Sequence, residues 1–205
     1  MIYLTIVLAY FLGSIPSAVW LGKYFYGVDV REHGSGNAGA TNVLRTLGKK
    51  AGASVLFFDM LKGFAAVNLS LLTDFSHGSN EWTNLRAALA LAAIIGHIFP
   101  VFANFRGGKG VAAMTGTLFA LSPLAALITV VFFFLMLALT KYVSLSSITA
   151  ALTLPVIFGA WIQSGTALSL FSFAVALIIL ITHRKNIKQL MKGKETKTFL
   201  FGKKE

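Results

Sequence analysis

The sequence carries little charge: of its 205 residues, 12% are Asp, Glu, Lys or Arg and 56% are apolar. Soluble domains typically carry about 25% charged residues, so we expect lipid to surround most of the chain. Acids are the scarcest group, with 7 Asp and Glu against 18 Lys and Arg, which gives a net charge of +11. Because the cations lie between and after apolar runs, we expect a membrane surface and an anionic substrate as partners, and no nucleic acid.

Cysteine is absent, which excludes disulfides and thiolate metal sites. The four histidines are dispersed, and no acid–histidine spacing resembles a set of metal ligands, so we expect neither a metal nor another cofactor. A signal peptide is not indicated either, since the first apolar stretch lacks a basic n-region and a small-x-small cleavage site. We interpret that stretch as a retained helix.

Runs of roughly 20 mainly apolar residues predict membrane-spanning helices. A shorter run at 110–122 begins in a glycine-rich segment and is followed by a turn at Ser122 and Pro123. Residues 110–140 therefore form either one kinked passage or a helical hairpin that crosses twice. The clear predicted spans are 2–22, 52–73, 85–104, 124–140, 145–163 and 166–182.

Charge placement decides between these alternatives. With seven spans, the loop cations and the basic tail lie on one side, and the other side holds only Arg86, beside Asp74 and Glu81. With six spans this asymmetry would be lost. The positive-inside rule therefore predicts an all-α integral membrane protein with seven transmembrane helices, its N-terminus outside and its C-terminus cytoplasmic. We expect a single helical membrane domain over 1–205, with a basic cytoplasmic tail at about 184–205.

This orientation brings three polar loops to the cytoplasmic side, at 31–50, 104–110 and 183–197. In the first, glycines surround Ser35, Gly36 and Asn37, which predicts a tight turn rich in hydrogen-bond donors. Thr41 and Arg45 follow four residues apart, on one face of a helix. The simpler interpretation is that Asn and Thr side chains cap this helix and that Arg45 ends it at the surface.

The second loop combines glycines with two cations, Arg106 and Lys109. Gly107, Gly108 and Gly110 let the backbone approach a ligand and turn successive N–H groups toward an anion, and the following helix N-terminus adds partial positive charge. The spacing is not that of a Walker A loop. A bend between membrane helices with snorkelling cations explains the loop equally well.

In the third loop, His183 and Asn186 lie three residues apart and share a helical face at the end of the last span. Its lysines are most simply a lipid-facing basic tail, and Glu195 either orients a cation or is solvated. Ser144 begins another span, where helix capping is the simpler role.

Polar residues within spans are few. Asp59 and Lys62 lie three residues apart on one helical face, which predicts a structural ion pair beneath the polar loops. His97 precedes Pro100 and is interpreted as a packed interior histidine.

Three long segments, "GSGNAGATNVLR", "GHIFPVFANFRGGKGVAA" and "HRKNIKQLMKGKE", resemble the motif regions of the PlsY-type acyl-phosphate:glycerol-3-phosphate acyltransferases of bacterial phospholipid synthesis. The resemblance extends to "DVREHGSGN", "FFDMLKG" and "KYVSLSSI". It implies a seven-helix enzyme of the bacterial inner (cytoplasmic) membrane with active-site loops on the cytoplasmic side. The implied reaction moves a fatty acyl group from acyl phosphate to the 1-position of glycerol 3-phosphate, giving lysophosphatidic acid and phosphate.

The resemblance also implies the site residues. The catalytic candidates are Ser35, Arg45 and His183. The substrate-binding candidates are Gly36, Asn37, Thr41, Arg106, Gly107, Gly108, Lys109, Gly110, Ser144, Asn186 and Glu195. Arg106 departs from the family loop, which commonly carries Lys there, and so replaces an ammonium by a planar fork.

Both substrates carry phosphate, so two anion-binding loops are expected. We assign the acyl-phosphate group mainly to the loop at 107–110 and glycerol 3-phosphate mainly to the arginines, Lys109, His183 and Asn186. Three routes for the proton or the acyl group stay open: a substrate phosphate as base, His183 as base, or an acyl-Ser35 intermediate.

A transporter of phosphate or of a phosphorylated metabolite is the alternative function, since it would share the helices and the anion-binding loops. It would need polar groups near the midplane and a path to both faces, and only Asp59 and Lys62 lie deep in a span. The oligomeric state is left open, and a monomer is compatible with the sequence.

Overall fold

The computed structural model describes residues 1–161 and 165–198, and regular structure within these ranges is helical. The α-helices are α1 (Ile2–Gly13), α2 (Ser17–Tyr26), α3 (Ala40–Thr46), α4 (Lys49–Asn68), α5 (Asn80–Ile98), α6 (Val111–Leu121), α7 (Pro123–Thr140), α8 (Val143–Val156), α9 (Thr166–Thr182) and α10 (Arg184–Met191). Short 3₁₀ turns occur at Val30–Glu32, Leu69–Leu72 and Val101–Ala103, and a π segment at Ile157–Trp161.

Length and composition identify four to six membrane spans among the described residues. Two pairs of helices, each bent at a short break, reach this length only when the two helices of a pair are taken as one span. These pairs are α1 with α2, bent by 40°, and α9 with α10, bent by 61°. The helix α6 is apolar but shorter. Four helical segments are each long and apolar enough to cross a bilayer without a partner helix: Lys49–Leu72, Asn80–Ala103, Pro123–Thr140 and Val143–Ala160.

The predicted first span, 2–22, is wrong as a continuous helix. It breaks between Gly13 and Ser17, because Pro16 has no N–H to donate and disfavours helical backbone at the residue before it. The freed carbonyl of Ile15 accepts a hydrogen bond from Nζ of Lys62 at 2.7 Å. An intramembrane break is tolerated when neighbouring helices satisfy its backbone in this way.

Residues 110–140 form two helices, since α6 ends at Leu121 and α7 begins at Pro123. The 11 residues of α6 rise about 16 Å at 1.5 Å per residue, roughly half the thickness of a bilayer core. The predicted span 166–182 is α9. The predicted span 145–163 starts two residues late, and its residues 162–163 lie outside the described residues, as do 199–205 of the predicted tail.

The chain divides into two compact units, Met1–Pro123 and Leu124–Glu205. In the first, α4 packs on α6 and α1 packs on α5. Gly63 of α4 and Gly116 of α6 let the first pair approach closely, as small residues do between membrane helices. In the second unit, α8 packs on α9, and α10 contacts both. The single domain over 1–205 stays a prediction.

Two apolar clusters organise the first unit. One packs α1, α4 and α5 together through Ala9, Ala66 and Leu89. The other lies under the first polar loop and joins it to α2 and α4; its members are Ala18, Val19, Val30, Ala38, Val43, Ala51 and Val55. This second cluster fixes the segment that carries Ser35.

Candidate active site

Ser35 lies in a turn that is held by the side chain of Asn42. The Oδ1 of Asn42 accepts a hydrogen bond from the Ser35 N–H at 2.8 Å. Its Nδ2 donates to the carbonyl oxygens of Val30, at 2.7 Å, and His33, at 3.1 Å. The amide thus uses its acceptor and both of its N–H donors, and Asn42 is buried. Asn42 lies inside α3, whose N-cap is Gly39 without a side-chain cap, so the interpretation that Asn and Thr side chains cap this helix is wrong.

The turn requires glycine at position 34. Gly34 has φ of +59°, and a Cβ built there would overlap Oδ1 of Asn42. The Gly36 N–H donates to the His33 carbonyl at 3.0 Å. Ser35 and Gly36 are exposed and Asn37 is half-buried. The turn therefore presents Ser35 and Gly36 at the surface, while the buried Asn42 fixes it from within.

The next helix, α3, carries Arg45 and Thr41 one turn apart. Arg45 is exposed and lies in the last turn of the helix, and Thr41 is half-buried. An exposed guanidinium suits the binding of a phosphate from solution.

The loop after α5 folds back on the end of that helix. The N–H of Gly107 donates to the Ile98 carbonyl at 3.2 Å, and the N–H of Gly108 donates to the His97 carbonyl at 3.1 Å. Both amides are therefore engaged by the unsatisfied carbonyls of the α5 C-terminus. This corrects the expectation that these two N–H groups turn together toward an anion.

The remaining positive groups of this loop are its side chains and the helix that follows. Arg106 is exposed and Lys109 is half-buried. Gly110, with φ of +94°, is the N-cap of α6, whose N-terminus carries the positive end of the helix dipole. These groups are the positive charges that the loop offers to an anion.

Beneath the loop lies a buried polar network centred on Oδ1 of Asp59. That oxygen is 2.8 Å from Nζ of Lys62 and accepts a hydrogen bond from Ser17 at 2.5 Å. Nδ1 of His97 is 3.4 Å away, an ionic distance without hydrogen-bond geometry. The predicted ion pair of Asp59 with Lys62 is confirmed, and so is the interior location of His97.

An apolar groove of about 490 Å³ runs along α1, α2 and α4. Ser17 and Lys62 belong to its wall, so the buried network reaches the groove at the break between α1 and α2. Its apolar lining includes Leu12, Trp20, Leu21, Phe25, Phe58 and Leu61. The shape and chemistry suit a hydrocarbon chain.

In the second unit, His183 ends α9 and is buried. Its Nδ1 lies 2.9 Å from the Ile179 carbonyl oxygen. Because a carbonyl only accepts, Nδ1 carries a proton, and in the neutral ring Nε2 bears the lone pair. The helix direction changes here by 61° between α9 and α10, so His183 lies at the junction of the two helices and Asn186 on the second of them.

Asn186 lies on α10 and donates from Nδ2 to both carboxylate oxygens of Glu195, at 2.9 Å and 3.1 Å. Glu195 is buried rather than solvated. A carboxylate does not attract a substrate phosphate directly, so this contact suits the orientation of the Asn186 amide.

Ser144 is buried near the start of α8, and its hydroxyl has no hydrogen-bond partner among the described residues. The neighbouring hydroxyls of Ser146 and Ser147 donate back to the carbonyls four residues earlier. No side chain caps α8, so capping is wrong as the role of these serines.

Asn42 was missed as a site-organising residue, and the contact of His97 with the glycine loop was missed too. The sequence signals were an Asn three residues after the last glycine of a glycine-rich turn and a His ten residues before the glycines of the second loop. Within residues 1–161 and 165–198, no three His, Asp or Glu side chains lie close enough together to hold a metal ion.

The model of a protein family described as glycerol-3-phosphate acyltransferase matches residues 3–193. The chain belongs to this family. The resemblance that the motifs carried is thereby confirmed. A glycerol-3-phosphate acyltransferase from Fusobacterium nucleatum is 45% identical over 192 residues, which cover 94% of this chain and 95% of the relative.

Solved structures of the family have the same fold. The crystal structure of PlsY (YgiH), an integral membrane glycerol 3-phosphate acyltransferase, in its glycerol 3-phosphate form matches with a TM-score of 0.87 and 36% identity, covering 97% of this chain and 96% of that chain. Its lysophosphatidic acid form matches with a TM-score of 0.84 and 36% identity, covering 97% and 95%. The chain is therefore an integral membrane protein that crosses the bilayer several times.

Proposed function

We propose that this glycerol-3-phosphate acyltransferase takes its acyl group from acyl phosphate and attaches it to the 1-position of glycerol 3-phosphate. The products are lysophosphatidic acid and phosphate, as in the first acylation of phospholipid biosynthesis. The observation that carries the proposal is the family match over residues 3–193, which contains every predicted site residue except Glu195. Nothing in the structure favours the transporter, and the family assignment disfavours it.

Acyl phosphate as donor is supported by the cationic character of the site. Arg45 and Arg106 are exposed at the surface of the first unit, and Lys109 lies beside the N-terminus of α6. A phosphate leaving group and a phosphorylated acceptor both suit such donors. No His with Asp five residues later, the pair of the acyl-CoA-type enzymes, occurs in the sequence.

The acyl chain occupies the groove along α1, α2 and α4. Its lining is apolar, and α2 ends at Tyr26, shortly before the turn that carries Ser35. A chain in this groove would have its carboxyl end near that turn. Ser35, Gly36 and Asn37 would then hold the reacting phosphate, and Gly107, Gly108 and Gly110 would shape the second loop.

The glycerol hydroxyl attacks the acyl carbonyl directly, and the carbon–oxygen bond to phosphate breaks as the new ester forms. Arg45, Arg106 and Lys109 stabilise the charge on the oxyanion and on the leaving phosphate. The proton passes to Nε2 of His183, a role supported by the proton on Nδ1. Asn186, oriented by Glu195, binds glycerol 3-phosphate, and Thr41 and Ser144 contribute hydroxyls for substrate binding.

Seven membrane crossings are proposed, with α6 as the shortest, the N-terminus outside and the C-terminus cytoplasmic. The cations of the loops and of α10 support this orientation through the positive-inside rule. The membrane is the inner membrane of a bacterium, which the bacterial relatives support. The protein acts among membrane lipids.

The test uses purified protein in detergent with glycerol 3-phosphate and one of three donors: acyl phosphate, acyl-CoA or acyl carrier protein. Lysophosphatidic acid from acyl phosphate alone supports the proposed donor. Product from acyl-CoA at an equal rate would overturn it. Because detergent removes any gradient, product formation also excludes the transporter.

A further inference from the structure

Two residues outside the predicted site, Asp29 and Arg31, form a nearly buried pair beside the first polar turn. Nε and Nη2 of Arg31 donate to the two carboxylate oxygens of Asp29 at 2.9 Å and 2.7 Å. The backbone N–H of Arg31 donates to the same carboxylate at 3.0 Å. The Arg31 side chain is 13% exposed and the Asp29 side chain 11%, and this bidentate arrangement fixes the plane of the guanidinium.

The third guanidinium nitrogen of Arg31 reaches the second polar loop. Nη1 donates to the carbonyl oxygen of Ala103 at 2.9 Å, across 72 residues of sequence. The same oxygen accepts the backbone N–H of Arg106 at 3.2 Å. The next two residues, Asn104 and Phe105, have φ of +53° and +58°, which non-glycine residues seldom adopt. Arg31 thus binds the Ala103 carbonyl, and directly after it the chain turns into the loop that carries Gly107, Gly108 and Gly110.

The backbone of the pair belongs to the turn that carries Ser35. The Asp29 carbonyl oxygen lies 3.1 Å from Nδ1 of His33. The Arg31 carbonyl lies 3.3 Å from the position that a Cβ on Gly36 would take. The residue between them, Val30, is buried and accepts the hydrogen bond from Asn42. Arg31 therefore connects the turn that carries Ser35 with the loop that begins at Ala103.

The carboxylate of Asp29 and the guanidinium of Arg31 neutralise each other. The hydrogen bonds from Arg31 hold the pKa of Asp29 well below its usual range, and Asp29 in turn raises the pKa of Arg31. Lys23 adds a contact to Asp29 at 3.3 Å. A guanidinium neutralised in this way is a poor ligand for substrate phosphate.

We propose that Arg31, held in position by Asp29, is a positioning residue that fixes the turn at Ser35–Asn37 relative to the loop at Ala103–Gly110. The inference rests on the proposed function, in which these two segments hold the reacting phosphate and the cations around it. Arg31 touches neither substrate. Its loss would misplace both segments at once.

The experiment compares kcat and the KM for each substrate in Arg31→Gln, Arg31→Lys, Asp29→Asn and the double variant Asp29→Asn with Arg31→Gln. Thermal unfolding in detergent gives the folded fraction. We expect Arg31→Gln to lower kcat/KM by roughly 100-fold for both substrates, since a displacement of about 1 Å at a site is that costly. Arg31→Lys keeps the positive charge but not the planar guanidinium that binds both carboxylate oxygens of Asp29, so it should restore less than a tenth of the lost activity.

The double variant should be no worse than Arg31→Gln alone, because the two side chains act as one unit. The control is Lys50→Gln, which removes an exposed cation at the start of α4 and should leave both KM values unchanged. Full activity per folded molecule in Arg31→Gln would overturn the inference. A rise in KM for one substrate with unchanged kcat would make Arg31 a phosphate ligand and overturn it too.

If Arg31→Gln does not fold, Arg31→Lys carries the test, since it keeps the stem and the charge. Wild-type turnover in Arg31→Lys would then overturn the inference. Failure of the proposed function is separate, because it would appear as an inactive wild-type protein with both substrates present.

Discussion

The imidazole of His97 occupies the space beside Gly108. A Cβ built on Gly108 would lie within 3.1 Å of three atoms of the His97 ring. The ring is buried and lies 3.4 Å from the Asp59 carboxylate, so it cannot easily withdraw. The loop that carries Gly107 and Gly108 therefore packs directly on the buried network of Asp59, Lys62 and His97.

We expect Gly108→Ala to lower kcat/KM by roughly 100-fold, because the added methyl group displaces the loop that carries Arg106 and Lys109. Steady-state kinetics in detergent measure the effect. Gly159→Ala is the matched control, since nothing lies within 4 Å of its Cβ position. Adding His97→Ala to Gly108→Ala should recover part of the activity. Equal activity of Gly108→Ala and the wild type would contradict this packing of the loop.

Asn42→Asp keeps the size of the side chain but removes both N–H donors that bind Val30 and His33. Each of the two lost hydrogen bonds costs about 0.5–1.5 kcal/mol, and the carboxylate repels both carbonyls. We expect a lower unfolding temperature and a loss of activity that exceeds the loss of folded protein. Asn80→Asp, at an exposed helix start, makes the same chemical change as a control. The role assigned to Asn42 fails if both variants behave alike.

Lys62→Met removes the cation that pairs with Asp59, although that carboxylate keeps its contacts with Ser17 and His97. Breaking a buried pair from one side typically costs about 3–5 kcal/mol, whereas replacing both partners by apolar groups costs much less. Denaturation in detergent should therefore show Lys62→Met to be less stable than the double variant Lys62→Met with Asp59→Leu. The opposite order would show that the pair does not act as a unit.

His183→Gln removes the proton acceptor Nε2 and keeps a side chain that donates to the Ile179 carbonyl. We expect kcat to fall by about 10²–10⁴-fold, the usual contribution of a general base. Wild-type turnover would refute the histidine base and leave a substrate phosphate as acceptor. In parallel, labelled acyl phosphate without glycerol 3-phosphate should give no trapped adduct, and labelled Ser35 would contradict direct attack.

Much of the fold follows from local patterns. The Asp59–Lys62 pair could be predicted because three residues on a helix bring two side chains to one face. The break after Gly13 could also have been predicted, since Pro16 lies in the middle of the apolar run. An apolar run long enough to cross a bilayer predicts a span whether or not the helix is broken inside it.

The organisation of the site could not be predicted in the same way, because its partners are backbone groups distant in sequence. Asn42 binds the carbonyl of Val30, 12 residues earlier, and Arg31 binds that of Ala103, 72 residues later. A glycine-rich loop also reads alike whether its N–H groups meet an anion or, as at Gly108, the end of the preceding helix. Which of these two partners the N–H groups meet depends on the three-dimensional path of the chain, which the local sequence pattern does not specify.

The most direct measurement is the stoichiometry of one reaction. Purified protein in detergent, with acyl phosphate and glycerol 3-phosphate as the sole substrates, should release lysophosphatidic acid and inorganic phosphate in equal amounts. Phosphate release without lysophosphatidic acid, or no reaction from protein shown to be folded, would contradict the proposed acyl transfer.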